Sequence, residues 1–108
     1  MKAEELSAAV REVLLTITLE AKQGEATLYL VEVKQAGVFS ISGASPEDLK
    51  RLIGSYCPSV LFPYAREVIS DLITKGGFPN FLLPLVNFDV LFAQAAQAAQ
   101  AQQPNLVN

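Results

Sequence analysis

The sequence has no histidine and a single cysteine, Cys57, among its 108 residues. Without histidine a Ser-His-Asp triad or a Cys-His pair cannot form, and one cysteine is too few for a structural zinc site. Cys57 also has no partner for a disulfide within the chain, which fits a reducing cytosol. We therefore expect no enzyme activity, no metal and no cofactor, and we expect Cys57 to be a small buried apolar residue.

Basic charge is also scarce. Eight Lys and Arg stand against eleven Asp and Glu, which gives a net charge of −3, and the basic residues form no cluster. Proteins that bind nucleic acid carry basic patches, so nucleic acid is not an expected partner. The sequence lacks an apolar run long enough to cross a bilayer, and its start lacks the basic and apolar regions of a signal peptide. These absences predict a cytoplasmic protein with no direct membrane insertion.

Apolar residues, by contrast, are abundant. They make up 51% of the chain, which is too much for a disordered protein, and 108 residues correspond to a single domain. A domain of this size buries well under three-quarters of the surface that its unfolded chain exposes. Part of the apolar surface is therefore expected to serve a partner, either another copy of the chain or a client protein.

The first half of the chain has the alternation of β-strands. Apolar and polar residues alternate over 10–20 and again over 28–34, with a turn at 22–25 between them, and this pattern predicts an antiparallel hairpin. The pair Ala36–Gly37 indicates a bulge or bend before a further extended piece over 38–42. Because a lone hairpin leaves exposed edges, we expect the chain to pair with something along an edge, at least as a homodimer.

A short helix should follow the strands. Ser45 is suited to cap it, Pro46 fits its first position, and the acidic pair Glu47–Asp48 favours the positive end of the helix dipole. We interpret the two carboxylates as helix-end residues and not as a catalytic dyad. This helix is expected to end near Tyr56.

A longer helix is expected next. Pro58 and Pro63 each suit only the start of a helix, so the helix should begin near Val60 or Phe62 and end at Lys75, before two glycines. Its apolar positions recur at helical spacing and should face the core; they are Phe62, Ala65, Ile69, Leu72 and Ile73, with Val68 beside them.

Residues 76–108 carry one charge, Asp89. They divide into an apolar connecting loop over 76–86 and a helix over 87–102 capped by Asn87. We expect residues 1–9 to be a poorly ordered lead-in, 10–43 to be antiparallel strands and 103–108 to be a disordered tail. The expected fold class is α+β, an antiparallel sheet with helices packed on one face.

Four segments resemble the bacterial protein-export chaperone family SecB. They are QAGVFSISG (35–43), YCPSVLFPYARE (56–67), KGGFPNF (75–81) and VNFD (86–89), in that order and with similar spacing. The resemblance implies a homo-oligomer, a dimer or a tetramer built as a dimer of dimers, which assembles through its sheet and long helix. It also implies an ATP-independent chaperone that binds unfolded preproteins and delivers them to the export motor SecA.

The chain departs from that family at two places. It begins where the family's third strand is expected, so two N-terminal strands have no counterpart. The connector Phe81–Leu85 is more apolar than its usual counterpart in the family, and its proline stands one place earlier.

Candidate site residues fall into three groups. The connector and the last helix form the candidate client-binding site, since a promiscuous holder needs adaptable apolar surface; its residues are Phe78, Phe81, Leu82, Leu83, Leu85, Phe88, Leu91 and Phe92. The resemblance implies SecA contacts at Leu30 and Glu32. It implies an oligomer interface at Val31, Val33 and Gln35, and we expect Tyr64 and Arg66 on the long helix to join it, because both residue types are enriched at interface centres.

Each group has a plainer alternative. The client-site residues can instead be core beneath a loop, Leu30 and Glu32 can be part of a solvated strand face, and the interface residues can pack within one chain. The function has alternatives too: a solo chaperone of one partner of the toxin–antitoxin type, or an oligomerising fragment without clients.

Overall fold

The computed structural model describes the backbone of residues 1–102 and the side chains of residues 1–99. The tail predicted over 103–108 lies outside the described residues. A three-stranded antiparallel sheet, in the order β1-β2-β3, is followed by helices that pack on one of its faces. The expected α+β class is therefore confirmed. The elements are β1 (Lys2–Glu5), β2 (Val10–Gln23), β3 (Ala26–Ser40), α1 (Pro46–Arg51), a π-helical turn (Leu52–Tyr56), α2 (Cys57–Lys75) and α3 (Phe88–Gln102).

The long hairpin of β2 and β3 follows the predicted alternation. Leu15 pairs with Gln35 and Ile17 with Val33, so the apolar side chains of both strands share the face toward the helices. The polar residues between them face solvent. Gly24 makes the turn with a φ of 62°, a backbone conformation that glycine adopts without a steric penalty.

Residues 2–5 form strand β1, where the sequence predicted a poorly ordered lead-in. Lys2 pairs with Leu14 and Glu5 with Arg11, because the edge of β2 offers hydrogen bonds even to a segment with no apolar face. Beyond Leu14 that edge of β2 has no neighbouring strand among the described residues.

The bulge expected at Ala36–Gly37 is also corrected. β3 continues through Gly37, which pairs with Val13, and the irregularity in the ladder lies between Ala21 and Lys22. A Cβ atom at Gly37 would lie 2.6 Å from the side chain of Leu61. Glycine is therefore needed here because α2 approaches the strand closely, and the reason is a contact distant in sequence.

The helical region is one continuous path, not two helices separated by prolines. A π-helical turn joins α1 to α2, and the Cys57 N–H donates to the Leu52 carbonyl across it. Pro58 lies directly after the π turn, whose wider helical path accommodates the ring. Pro63 lies within α2 and deprives the Ser59 carbonyl of its helical donor, but both residues are exposed, so water can reach that carbonyl.

The predicted helix ends are confirmed at three points. The Asp48 N–H donates to the Ser45 hydroxyl at 3.1 Å, and the Val90 N–H donates to the Asn87 side-chain oxygen at 3.2 Å. At the end of α2, Gly77 has a φ of 87°, and its N–H donates to the Thr74 carbonyl at 3.0 Å. The Phe78 N–H donates to the Ile73 carbonyl, which completes a Schellman motif.

The core lies between α2 and the inner face of the hairpin, in two adjoining clusters. One surrounds Cys57 and the other surrounds Ile69. The buried members are Val13, Leu15, Cys57, Leu61 and Phe62 in the first cluster and Val33, Ala65, Ile69 and Ile73 in the second.

Cys57 is fully buried, as the sequence predicted, and burial raises the pKa of its thiol above the ordinary value. Less thiolate is then present at pH 8, and the sulfur is also shielded from reagents. We expect the native thiol to react with an aromatic disulfide reagent at least about tenfold more slowly than the thiol of the denatured chain. Stopped-flow absorbance with and without denaturant measures both rates, and equal rates would contradict this burial.

Candidate functional site

An apolar groove of about 480 Å³ opens where β2, α2, the connector and α3 meet. One wall comes from residues 15–18 of β2, beside the part of that strand that β1 leaves unpaired, and the opposite wall comes from the connector and the start of α3. Two threonines are the only polar residues of this lining. The lining residues are Leu15, Thr16, Ile17, Thr18, Phe62, Leu83, Pro84, Val86, Phe88 and Leu91.

Hydrogen bonds from α2 hold the connector in place. The Arg66 Nε donates to the Leu83 carbonyl at 2.6 Å, and this bond fixes the backbone at the groove wall. Further along α2, the Ser70 hydroxyl donates to the Asn80 side-chain oxygen. A connector with few charges of its own is thus positioned by polar groups of the helix.

The first turns of α3 form the far wall of the groove. The Phe88 ring packs edge-to-face on Phe62, with ring centroids 5.6 Å apart. One residue later, the Asp89 carboxylate accepts a hydrogen bond from the Ser55 hydroxyl of the π turn. Together these contacts orient Leu91 toward the groove.

The predicted client-site residues do not form one continuous site. Leu83, Phe88 and Leu91 line the groove, whereas Phe78 lies near the far end of α2 and stacks on Tyr29 at 4.8 Å. Phe92 is half-buried against Gly54 of the π turn. The remaining members are exposed: Phe81, Leu82 and Leu85, of which Leu85 is 79% exposed.

Sequence reasoning missed the part of the groove that the hairpin supplies. Leu15 and Ile17 belong to the alternating pattern of β2, which predicts only that their side chains face inward. Whether a helix covers an inward residue or leaves it beside an opening depends on where α2 and the connector lie. Pro84 and Val86 also line the groove and were not among the candidates.

The outer face of the sheet carries the two predicted motor-contact residues. Leu30 is 62% exposed, and Glu32 lies on the same face. The Glu32 carboxylate accepts a hydrogen bond from the Thr18 hydroxyl at 3.1 Å on the neighbouring strand. Glu20, which pairs with Leu30 across the ladder, places a second carboxylate beside the exposed leucine.

The predicted interface residues point in different directions. Val33 is only 8% exposed and packs against Ala65 and Ile69, so it lies in the core of its own chain and not on a surface that a sister subunit can reach. Val31 and Gln35 are half-buried on the same inner face. The side chain of Arg66 is engaged with the connector, so Tyr64 is the freely exposed member of the set.

An exposed apolar stripe runs along α2 on either side of Tyr64. Its residues recur every four positions, so neighbouring members form a ridge that turns gradually around the helix; its first member is the last residue of the π turn. Leu72 belongs to this stripe and not to the core, where the sequence placed it. The stripe comprises Tyr56, Val60, Tyr64, Val68 and Leu72.

Two other kinds of site are absent from the described part of the chain. None of its helices is both long enough and apolar enough to span a membrane. Its His, Cys, Asp and Glu side chains nowhere come together in a group of three that can hold a metal ion.

Comparison with known proteins gives consistent results. A family model described as preprotein translocase subunit SecB matches residues 1–99. The protein-export protein SecB of Nitrosococcus oceani is 53% identical over 100 residues, which cover 93% of this chain and 61% of that protein. The SecB of Methylococcus capsulatus is 52% identical over 101 residues, covering 94% of this chain and 65% of that protein. The chain thus spans less than two-thirds of the length of either relative.

Proposed function

The chain belongs to the SecB family, and from that premise we propose that it is an ATP-independent chaperone that binds unfolded preproteins. In this proposal it keeps them competent for translocation and delivers them to the motor SecA. It acts in the cytoplasm as a binding protein, without catalysis and without a cofactor. The observation that carries the proposal is the open apolar groove between β2, the connector and α3.

The chemistry of the groove suits an unfolded client. Non-native chains share exposed aliphatic and aromatic side chains but no fixed sequence, and the lining offers apolar contacts with few directional polar groups. Each client Leu or Phe that leaves water contributes about 1.5–3 kcal/mol. Several such anchors on one chain, held by several subunits, add up through multivalency.

The direct test uses several unrelated preproteins diluted from denaturant. We expect this protein to delay their refolding and aggregation, and we expect SecA to bind the resulting complexes. Protection of a single cognate partner would support a solo chaperone instead. Oligomers with no effect on any unfolded chain would contradict chaperone function altogether.

Polar substitution at the groove should weaken client binding. Val86 and Leu91 line the groove but are partly exposed, so replacing both by Ser removes client contacts while sparing the core. We expect the affinity for an unfolded client to fall by about tenfold or more, as the loss of two apolar contacts requires. Fluorescence titration with a labelled preprotein measures it.

The control is Val38→Ser, which removes an exposed apolar side chain from the outer face of the sheet, away from the groove. Its client affinity should equal that of the wild type. An equal loss in both variants would show that the groove has no special part in binding.

We further propose that the chain forms a dimer or tetramer and that the α2 stripe around Tyr64 contributes to its interface. A helix face with exposed aromatic and aliphatic residues at four-residue spacing is suited to pack on a second helix. For SecA, we propose docking at Leu30 and Glu32, where an exposed leucine beside carboxylates suits a partly apolar, basic segment.

A further inference from the structure

Among the side chains of α3 that the structure describes, those near its start hold the helix to the rest of the chain. It packs mainly against the π-helical turn, through Asp89 and Phe92, and Phe88 adds the contact with Phe62. Its side chains from Ala93 to Ala99 are all exposed. A helix anchored at one end can move as a unit when those few contacts are lost.

The π turn has two features that receive α3. The first is Gly54, where a Cβ atom would lie 2.5 Å from one carbon of the Phe92 ring and 2.7 Å from another. A Cβ atom so close to the ring would clash with it, so any larger residue at this position would force the ring or the backbone to move. The Phe92 ring thus packs directly on the backbone of the turn. A glycine is required for that approach.

The second feature is Ser55, which is 3% exposed and is the only buried polar side chain among those described. Its hydroxyl donates to the Asp89 carboxylate. Its carbonyl meanwhile accepts from the Ser59 hydroxyl at 2.8 Å. A buried hydroxyl bound to a carboxylate makes a directional contact at the point where Phe92 supplies only packing.

We propose that Gly54 and Ser55 are positioning residues that latch α3 in place, and that the latch sets the width of the client groove. Phe88 and Leu91, which line the groove, lie on the same helical turns as Asp89 and Phe92. Opening the latch therefore moves that wall away from β2 and admits bulkier client segments. The role at the groove rests on the proposed chaperone function, whereas the latch itself is testable without any client.

The first test measures hydrogen exchange of the α3 amides at residues 91–96. Ser55→Ala removes one hydrogen bond, and we expect exchange to rise by about fivefold to tenfold. Gly54→Ala should raise it further, since the added methyl group cannot fit beneath the Phe92 ring. The matched control is Thr27→Ala, which removes another hydroxyl-to-carboxylate hydrogen bond, the one to Glu20 near the hairpin turn; exchange in α3 should stay at the wild-type rate.

A double variant separates a specific clash from general loss of fold. In the Phe92→Ala background the ring is gone, so adding Gly54→Ala should change α3 exchange by less than about twofold. Amides of β2 and β3 report the sheet in every variant and should exchange as in the wild type. Wild-type exchange in α3 for both Ser55→Ala and Gly54→Ala would overturn the latch.

The second test follows association of a fluorescent extended peptide rich in Phe and Leu. Ser55→Ala and Gly54→Ala should increase its association rate by about threefold or more, because the wall no longer has to open first. Faster α3 exchange with an unchanged association rate would overturn the role at the groove. If the wild type binds no peptide while α3 exchange still responds, the proposed function fails and the latch stands.

Discussion

Replacing Ile69 by Ala is expected to lower the free energy of unfolding by about 2–5 kcal/mol. Ile69 is 0% exposed and lies between Val33 on the sheet and Ala65 and Ile73 on α2. The change removes the contacts of a buried aliphatic side chain and leaves a cavity at the centre of the second core cluster. The free energy of unfolding of a small domain is only about 5–15 kcal/mol, so this one substitution should remove a large part of it.

Urea denaturation followed by circular dichroism measures the change, at one protein concentration for all variants, since the apparent stability of an associating protein depends on concentration. The matched control is Glu67→Ala on the exposed side of the same helix, which should change stability by less than about 0.5 kcal/mol. A loss below about 1 kcal/mol for Ile69→Ala, with an unchanged denaturant slope, would mean that α2 does not pack on the sheet as described.

Local rules of sequence predicted the parts of the fold that depend on neighbouring residues. Alternation over two strands identified the hairpin, because period two places apolar residues on one face whatever packs there. Ser45 and Asn87 were recognised as caps, since a cap binds an amide only three residues away.

Contacts between distant residues decided what those rules missed. Proline favours a helix start, so Pro58 suggested a break; the π turn instead accommodates it, and Cys57 and Leu61 are buried against β2 as parts of one helical path. Gly37 has the pattern of a bulge, but it is required by Leu61, which lies far along the chain. Neither cause is present in the local sequence.

The sequence predicted that the connector and the last helix supply apolar residues to the candidate site, but it did not predict where each side chain lies. Phe78 and Phe81 both belong to an apolar connector, yet only the Schellman turn after α2 sends Phe78 onto Tyr29 and leaves Phe81 exposed. Leu72 lies at the edge of a wide apolar arc, and helical periodicity does not say which edge the sheet covers. For the same reason, helical periodicity did not predict the exposed stripe that includes Tyr64.

Replacing Tyr64 and Val68 by Asp should dissociate the proposed oligomer. Tyr64 is 61% exposed in the single chain, and Val68 lies on the same helix face one turn later. A symmetric interface places each new carboxylate near its copy in the partner, where charge is desolvated and repelled. We expect subunit affinity to fall by about a hundredfold or more, and light scattering should show a smaller mass.

The matched control adds the same charge elsewhere. Leu30 and Val38 are as exposed as Tyr64 but lie on the outer face of the sheet, so Leu30→Asp with Val38→Asp should leave the oligomer mass unchanged. Under our proposal that control weakens SecA binding, which separates the two surfaces in one pair of proteins. Circular dichroism of both double variants should match the wild type, because none of the four side chains belongs to the core.

An unchanged mass for Tyr64→Asp with Val68→Asp would exclude the α2 stripe as an interface. An open sheet edge would then be the alternative surface for a second copy, and β2 beyond Leu14 offers one, since unpaired strand amides and carbonyls favour a further strand. A proline at Thr16, whose amide points to that edge as the amide of Val10 points to Ser7, would block such pairing by removing the amide and restricting the backbone. The two substitutions thus distinguish assembly through helices from assembly through the sheet.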